Sequence, residues 1–185
     1  LNLNEIDGVR TRQNGFESEF ISFDKYAKKA KELGQKLLVE VKMYGKEPSN
    51  MANIVADKFK ELGIEKDCMV VSFDLKLMEE VKKILPELKT GYIMPLLLGD
   101  LPDTNVDFYA LEDFSYNEKI AIQAKIKKKK LLIWTVNDII KIRKYLRQPV
   151  DGIITDELEE LKEEKKYLKE NNTYFDKYIR IITNI

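Results

Sequence analysis

Lys36-Leu37-Leu38-Val39-Glu40-Val41-Lys42 is the stretch on which the reading of this chain turns. It is short, apolar and bounded by charge, which marks a buried strand. Side chains alternate along a strand, so Glu40 and Lys42 point to the same side. A carboxylate and an ammonium leaving one end of a buried strand together suit a polar site at that end. In a barrel enzyme such a pair sets a metal ligand beside a phosphate-binding cation. A solvated strand end is the ordinary alternative, and only the neighbouring segments can weigh against it.

Those segments repeat one pattern. Upstream, Ser22 reads as an N-cap, and Phe23, Tyr26, Ala27, Ala30 and Leu33 form a helical stripe closed by Gly34. Residues 1–20, punctuated by Gly8, Asn14 and Gly15, read as an irregular lead-in. Downstream, a helix opened by Pro48 and Ser49 runs to Gly63, and Cys68 to Phe73 is a second strand. Asp74 caps the next helix, which stops at Pro86. Further strands are expected over Thr90 to Met94, Val106 to Leu111, Leu131 to Val136 and Gly152 to Thr155. Helices are expected over Ser115 to Lys128, from Asn137 as cap to Leu146, and from Glu157 to about Glu170. The aromatic residues of 171–185 predict a packed tail. Six short apolar strands alternating with amphipathic helices mean a parallel α/β sheet within one domain, residues 1–185.

Composition narrows the chemistry. Lys plus Arg number 32 and Asp plus Glu 32, so the formal charge is zero and nucleic acid is not an expected partner. The basic run Lys127 to Lys130 reads as a solvated helix end. Cys68 is the only cysteine, which excludes a disulfide within the chain. No stretch is long and apolar enough to span a bilayer, so the chain is expected to be soluble. Histidine is absent, which excludes Ser-His-Asp and Cys-His catalysis and His-ligated zinc from this chain. Ser72 therefore has no partner as a nucleophile and reads as a locally bonded strand hydroxyl. The chain starts at Leu1, so it is expected to be a processed product or a piece of a longer protein.

Doubly wound sheets and (β/α)8 barrels both fit the alternation. No Gly-x-Gly-x-x-Gly or P-loop follows a strand, which counts against a nucleotide-binding sheet. Polar residues recur at strand C-terminal ends: Glu40 and Lys42, Ser72 and Asp74, Trp134 and Asn137, then Asp156. In a barrel these ends surround one mouth, where barrel enzymes work. Asp74, Asn137 and Asp156 are thus candidate mouth residues, with helix capping as the alternative role. Six strands are two short of a closed barrel.

Four segments, in order, resemble the glycerophosphodiester phosphodiesterases: Leu37 to Lys42, Val70-Val71-Ser72-Phe73-Asp74, Trp134-Thr135-Val136-Asn137 and Val150-Asp151-Gly152-Ile153-Ile154-Thr155-Asp156. Asn14-Gly15-Phe16 with Ile21-Ser22-Phe23-Asp24 resembles the segment before that family's third strand. The nearest likeness is to a bacterial subgroup whose barrel follows an integral-membrane domain. The resemblance implies an incomplete TIM barrel holding family strands 3 to 8. It implies metal-dependent hydrolysis of glycerophosphodiesters to glycerol 3-phosphate and an alcohol. On it, Glu40 is one carboxylate ligand of a divalent cation (Mg²⁺ or Ca²⁺), Lys42 contacts the phosphate and Trp134 lines the glycerol pocket. A parent at the cell membrane, through an upstream domain, follows from the same likeness.

The chain departs from the family pattern where chemistry is concentrated. The family's His-Arg, Glu-x-Asp and second His are not present, and their place is upstream of Leu1. Catalytic residues are therefore expected to be absent, metal binding weak, and the isolated chain inactive. Ile21, and Glu157 with Leu158, stand where the family tends to have proline. Two alternatives remain: a non-catalytic barrel-derived module that binds a phosphorylated ligand or a partner chain, and a phosphate-binding barrel of central metabolism. The latter needs a Gly-rich turn after a late strand, whereas Asp151-Gly152 precedes the last one. Open barrel edges predict a homodimer, or a tail folded across the gap.

Overall fold

The structure, a computed structural model, describes residues 6, 8–13 and 15–183, with side chains through residue 170. It opens with a hairpin of β1 (Arg10–Gln13) and β2 (Phe16–Glu19), followed by α1 (Phe23–Glu32) and β3 (Leu38–Glu40). Then come α2 (Met51–Leu62), β4 (Met69–Ser72), α3 (Leu75–Ile84), β5 (Lys89–Met94) and β6 (Phe108–Glu112). A 3-10 turn at Asp113–Ser115 leads to α4 (Glu118–Ile126), β7 (Lys130–Trp134), α5 (Ile139–Tyr145), β8 (Gly152–Ile153) and α6 (Leu158–Thr183).

Strands β3 to β8 form one parallel sheet in sequence order, curled into a half-barrel. This is the incomplete barrel that the family resemblance implies; the strand–helix alternation alone also allows a doubly wound sheet. Among the described residues β3 and β8 each pair on one side only. Alternation along the strands divides two apolar layers. Val70, Tyr109, Leu111, Leu131 and Ile133 face outward and pack with Val55, Phe59, Met78, Val81, Ile120 and Ile142 of the helices. Val71, Ile93, Phe108 and Ala110 face the lumen with Met69, Leu132, Trp134 and Ile154. The lumen is filled at Gly91, where a Cβ would stand 2.1 Å from the Phe108 ring. Glycine there leaves room for that ring to cross the barrel floor.

Local signals set most boundaries. Ser22 caps α1 by accepting from the Lys25 N–H, and Gly63 ends α2 in the left-handed region at φ 60°. Asp107 ties the sheet's N-terminal rim, accepting from Lys82 (2.7 Å), Lys89 (3.0 Å) and the Thr90 N–H (2.9 Å). Burial pushes its carboxyl up, but those donors outweigh burial and hold it below the usual range.

Three expectations are corrected. The lead-in is not irregular throughout: Arg10 to Gln13 pair antiparallel with Phe16 to Glu19 in register. Ser115 does not belong to α4 but ends the 3-10 turn before it, because α4 starts only after Asn117, whose side chain accepts from the Ile120 N–H. Asn137 does not cap α5; Asp138 does, accepting from the Lys141 N–H at 2.9 Å. The expected packing of 171–185 falls outside the described side chains.

Candidate active site

The C-terminal ends of the strands build the mouth. Val41 continues the β3 ladder by donating to Val71 O at 2.8 Å, so Glu40 and Lys42 emerge at the sheet's edge. Both line a cavity of about 770 Å³ with Val41, Met43, Tyr44, Phe73, Asp74 and Leu75. A second cavity of about 340 Å³ opens into the lumen between Leu38, Glu40, Val71, Phe73, Ile93 and Trp134. Glu40 and Phe73 line both, so the two are compartments of one mouth. Glu40 and Lys42 are exposed there, while Trp134 is half-buried.

Trp134 is held from two directions. Its indole N–H donates to Ala110 O at 2.9 Å, and its ring meets Phe73 edge-to-face at 6.0 Å. The Trp134–Thr135 peptide is cis. Of the three residues the sequence singles out, Glu40 and Lys42 share the larger cavity and Glu40 and Trp134 the smaller, so Glu40 is common to both. Phe73 lines both cavities; the sequence gives it as the end of the second strand and part of a family-like motif, with no site role.

Asp74, Asn137 and Asp156 are mainly architectural. Asp74 lines the larger cavity, but its carboxylate is engaged as the α3 cap, accepting from the Leu77 N–H at 2.9 Å. Ser72 supports it: its buried hydroxyl donates to Val41 O (2.6 Å) and accepts from the Asp74 N–H (3.1 Å). Asn137 clamps the loops after β7 and β8. Its amide donates to Asp156 Oδ2 at 2.8 Å, and its carbonyl accepts from the Asp156 N–H at 2.9 Å and the Thr155 hydroxyl at 3.2 Å. Neither Asn137 nor Asp156 lines the two mouth cavities. The loop after Lys42 is tied by Glu47, which accepts from the Tyr44 N–H at 2.5 Å and the Gly45 N–H at 2.8 Å. Those backbone donors, Tyr44 first, hold the Glu47 carboxyl below its ordinary value.

Among the described residues, no group of three or more His, Cys, Asp or Glu converges as a metal site. A hard divalent cation takes six or more oxygen ligands and favours several carboxylates. Glu40 is the only carboxylate shared by the two compartments, so these residues do not by themselves fit such an ion.

Residues 1–160 match the Glycerophosphoryl diester phosphodiesterase family. The chain belongs to that family. Among solved structures, a glycerophosphodiester phosphodiesterase from Parabacteroides distasonis superposes with a TM-score of 0.76 at 19% identity, over 92% of this chain and 72% of that one. A Silicibacter pomeroyi protein assigned to the same activity gives 0.74 at 19% identity, over 85% of this chain and 60% of that one. An Oleispira antarctica phosphodiesterase, in complex with the product sn-glycerol-3-phosphate, gives 0.63 at 15% identity, over 81% and 62%. Identities this low speak for the fold. This family member thus spans about six- to seven-tenths of those chains' lengths. No curated protein matches the sequence. Among the described residues, no helix is long and apolar enough to cross a membrane.

Proposed function

We propose that this chain forms part of a glycerophosphodiester phosphodiesterase site, releasing glycerol 3-phosphate and an alcohol only once the remaining barrel strands are supplied. Lys42 holds the phosphate, placing positive charge where negative charge builds up during displacement. Trp134 and Phe73 form the apolar wall against which the glycerol carbons lie. Glu40 offers one carboxylate toward a divalent cation, whose other ligands come from outside the described residues. On its own the chain is inactive, because it carries no histidine and only part of a ligand set.

The observation that carries this reading is the convergence of Glu40, Lys42 and Trp134 on one mouth, in a chain of this family. A half-barrel whose edge strands β3 and β8 each pair on one side only, among the described residues, agrees with it. Attachment to a membrane, on this reading, comes through an upstream domain of the parent.

The test is glycerol 3-phosphate release from a glycerophosphodiester, with Mg²⁺ or Ca²⁺. This chain is assayed beside a version extended by two N-terminal βα units that carry the family's His-Arg and Glu-x-Asp. Turnover by the extended version alone, abolished by Glu40→Ala, is the expected result. Turnover by the isolated chain that Glu40→Ala removes would overturn its proposed inactivity. If both fold and neither turns over, the second reading takes over: a non-catalytic module that binds a phosphorylated ligand, favoured by the cation-bearing open mouth.

A further inference from the structure

The smaller cavity is walled by apolar side chains except at two places, Glu40 and Thr135. These stand on opposite walls. Glu40 ends β3 and Thr135 follows β7, with β4, β5 and β6 between them in the sheet. The curl brings the walls close, since Phe73, just past β4, meets Trp134 of β7 at 6.0 Å. Thr135 sits where the chain leaves the lumen. Trp134 faces the lumen, whereas Val136 is buried in the helix-side layer. Strict alternation would return Val136 to the lumen. The break in alternation falls at Thr135, which stays exposed at the rim beside the indole and lines the cavity with it. The other hydroxyls at this end serve the fold: Ser72 donates to Val41 O, and Thr155 donates to Asn137 and accepts from the Glu157 N–H. Among the described residues the Thr135 hydroxyl makes no such bond.

The ligand class follows from this wall. Apolar side chains hold a carbon frame but do not tell glycerol from a propyl group; the few polar groups of such a pocket set orientation and specificity. A threonine hydroxyl both donates and accepts, so it pairs with a hydroxyl carried on that frame. Glu40 is directed at the cation in the proposed function, which leaves Thr135 as the side chain of this cavity free to bond the polyol. We infer that Thr135 is a specificity-determining residue, its hydroxyl paired with a hydroxyl of the glycerol moiety seated on Trp134. It selects glycerol phosphates over alkyl phosphates of the same length. The inference rests on the reading of Lys42 and Trp134 as a glycerophosphate subsite and adds the residue that recognises the polyol.

Trp134 is the only tryptophan in the chain, so its fluorescence reports on this cavity without background. The experiment titrates the chain with sn-glycerol 3-phosphate and with propyl phosphate, in the native sequence and in Thr135→Val, Thr135→Ser and Lys42→Ala. The native chain should prefer glycerol 3-phosphate. Thr135→Val keeps the branched shape and removes the hydroxyl, and should cut that preference about fivefold, the loss of one neutral hydrogen bond. Thr135→Ser, which keeps the hydroxyl, should retain most of it. A preference ratio unchanged in Thr135→Val overturns the inference, whatever happens to the melting temperature. So does a native chain that binds both phosphates equally, even where Lys42→Ala weakens both and the phosphate reading stands. If neither phosphate binds, the Lys42 reading fails, and glycerol against 1-propanol decides the matter. A preference for glycerol that Thr135→Val removes then supports the inference, and its absence overturns it.

Discussion

Gly91 and Gly152 both face the lumen, yet they should respond differently to a methyl group. At Gly91 a Cβ would stand 2.1, 2.2 and 2.5 Å from three atoms of the Phe108 ring. Phe108 is 2% exposed and fixed between strands, so the ring has no free direction in which to retreat. At Gly152 the added atom would meet only Leu132 Cδ2, at 2.7 Å, the far end of a flexible side chain. Gly91→Ala should therefore cost about 1–3 kcal/mol, the range for overpacking a core, and Gly152→Ala clearly less. Denaturant midpoints of the two variants measure the difference; equal midpoints would mean that the ring moves freely. None of this was visible in the sequence. Thr90-Gly91-Tyr92 reads as strand, but nothing in it tells which distant side chain needs the missing Cβ. Glu40, Lys42 and Trp134 stand out in the sequence as candidates because each lies at or just past a strand's C-terminal end with a residue type the apolar run does not explain.

Element boundaries were read best where one residue has one plausible job. Ser22, Gly63 and Asp74 each terminate a helix as the sequence implies. Reading fails where two candidates adjoin. Asn137 and Asp138 are both good caps, and local pattern cannot decide between them. The decision is tertiary: Asn137 reaches across to the loop after β8, leaving Asp138 to cap α5. The hairpin escaped for the opposite reason. Its strands are exposed on every residue, so no burial alternation marks them, and the Asn14-Gly15 dipeptide was the remaining signal. The two adjacent residues should separate experimentally. Asp138→Ala should lose about 1 kcal/mol as a lost cap, with no dependence on Asp156. Asn137→Ala should lose stability that is strongly coupled to Asp156→Ala, since each removes part of the same clamp. A double-mutant cycle measures the coupling. Additive Asn137 and Asp156 losses would show that the clamp contributes nothing to the folded chain.

At the scale of the molecule, alternation of six strands and helices implies a parallel sheet, because each helix can bury its apolar stripe only against a sheet face; the barrel curvature follows only from the family resemblance. The strand count also implied the gap. That gap has a physical consequence. Among the described residues the short strand β3 pairs on one side only, so its other edge offers unpaired backbone N–H and C=O groups. Beside that edge the lumen wall exposes Leu38 at 37% and Phe73 at 47%. The upper part of the lumen therefore has apolar surface and free backbone groups on the same rim, the combination that drives edge-to-edge pairing. The isolated chain should self-associate as its concentration rises, seen as an increasing sedimentation coefficient in the ultracentrifuge. Leu38→Lys puts a charge on the rim without touching the helix-side core, and should shift association to higher concentration. Extension by two N-terminal βα units should suppress it further, because new strands would occupy both the edge and the lumen. A chain that stays monomeric at every concentration would mean that the edge is covered within the molecule. Association unaffected by Leu38→Lys would place the contact elsewhere, the exposed hairpin carrying Phe16 being the next surface to alter.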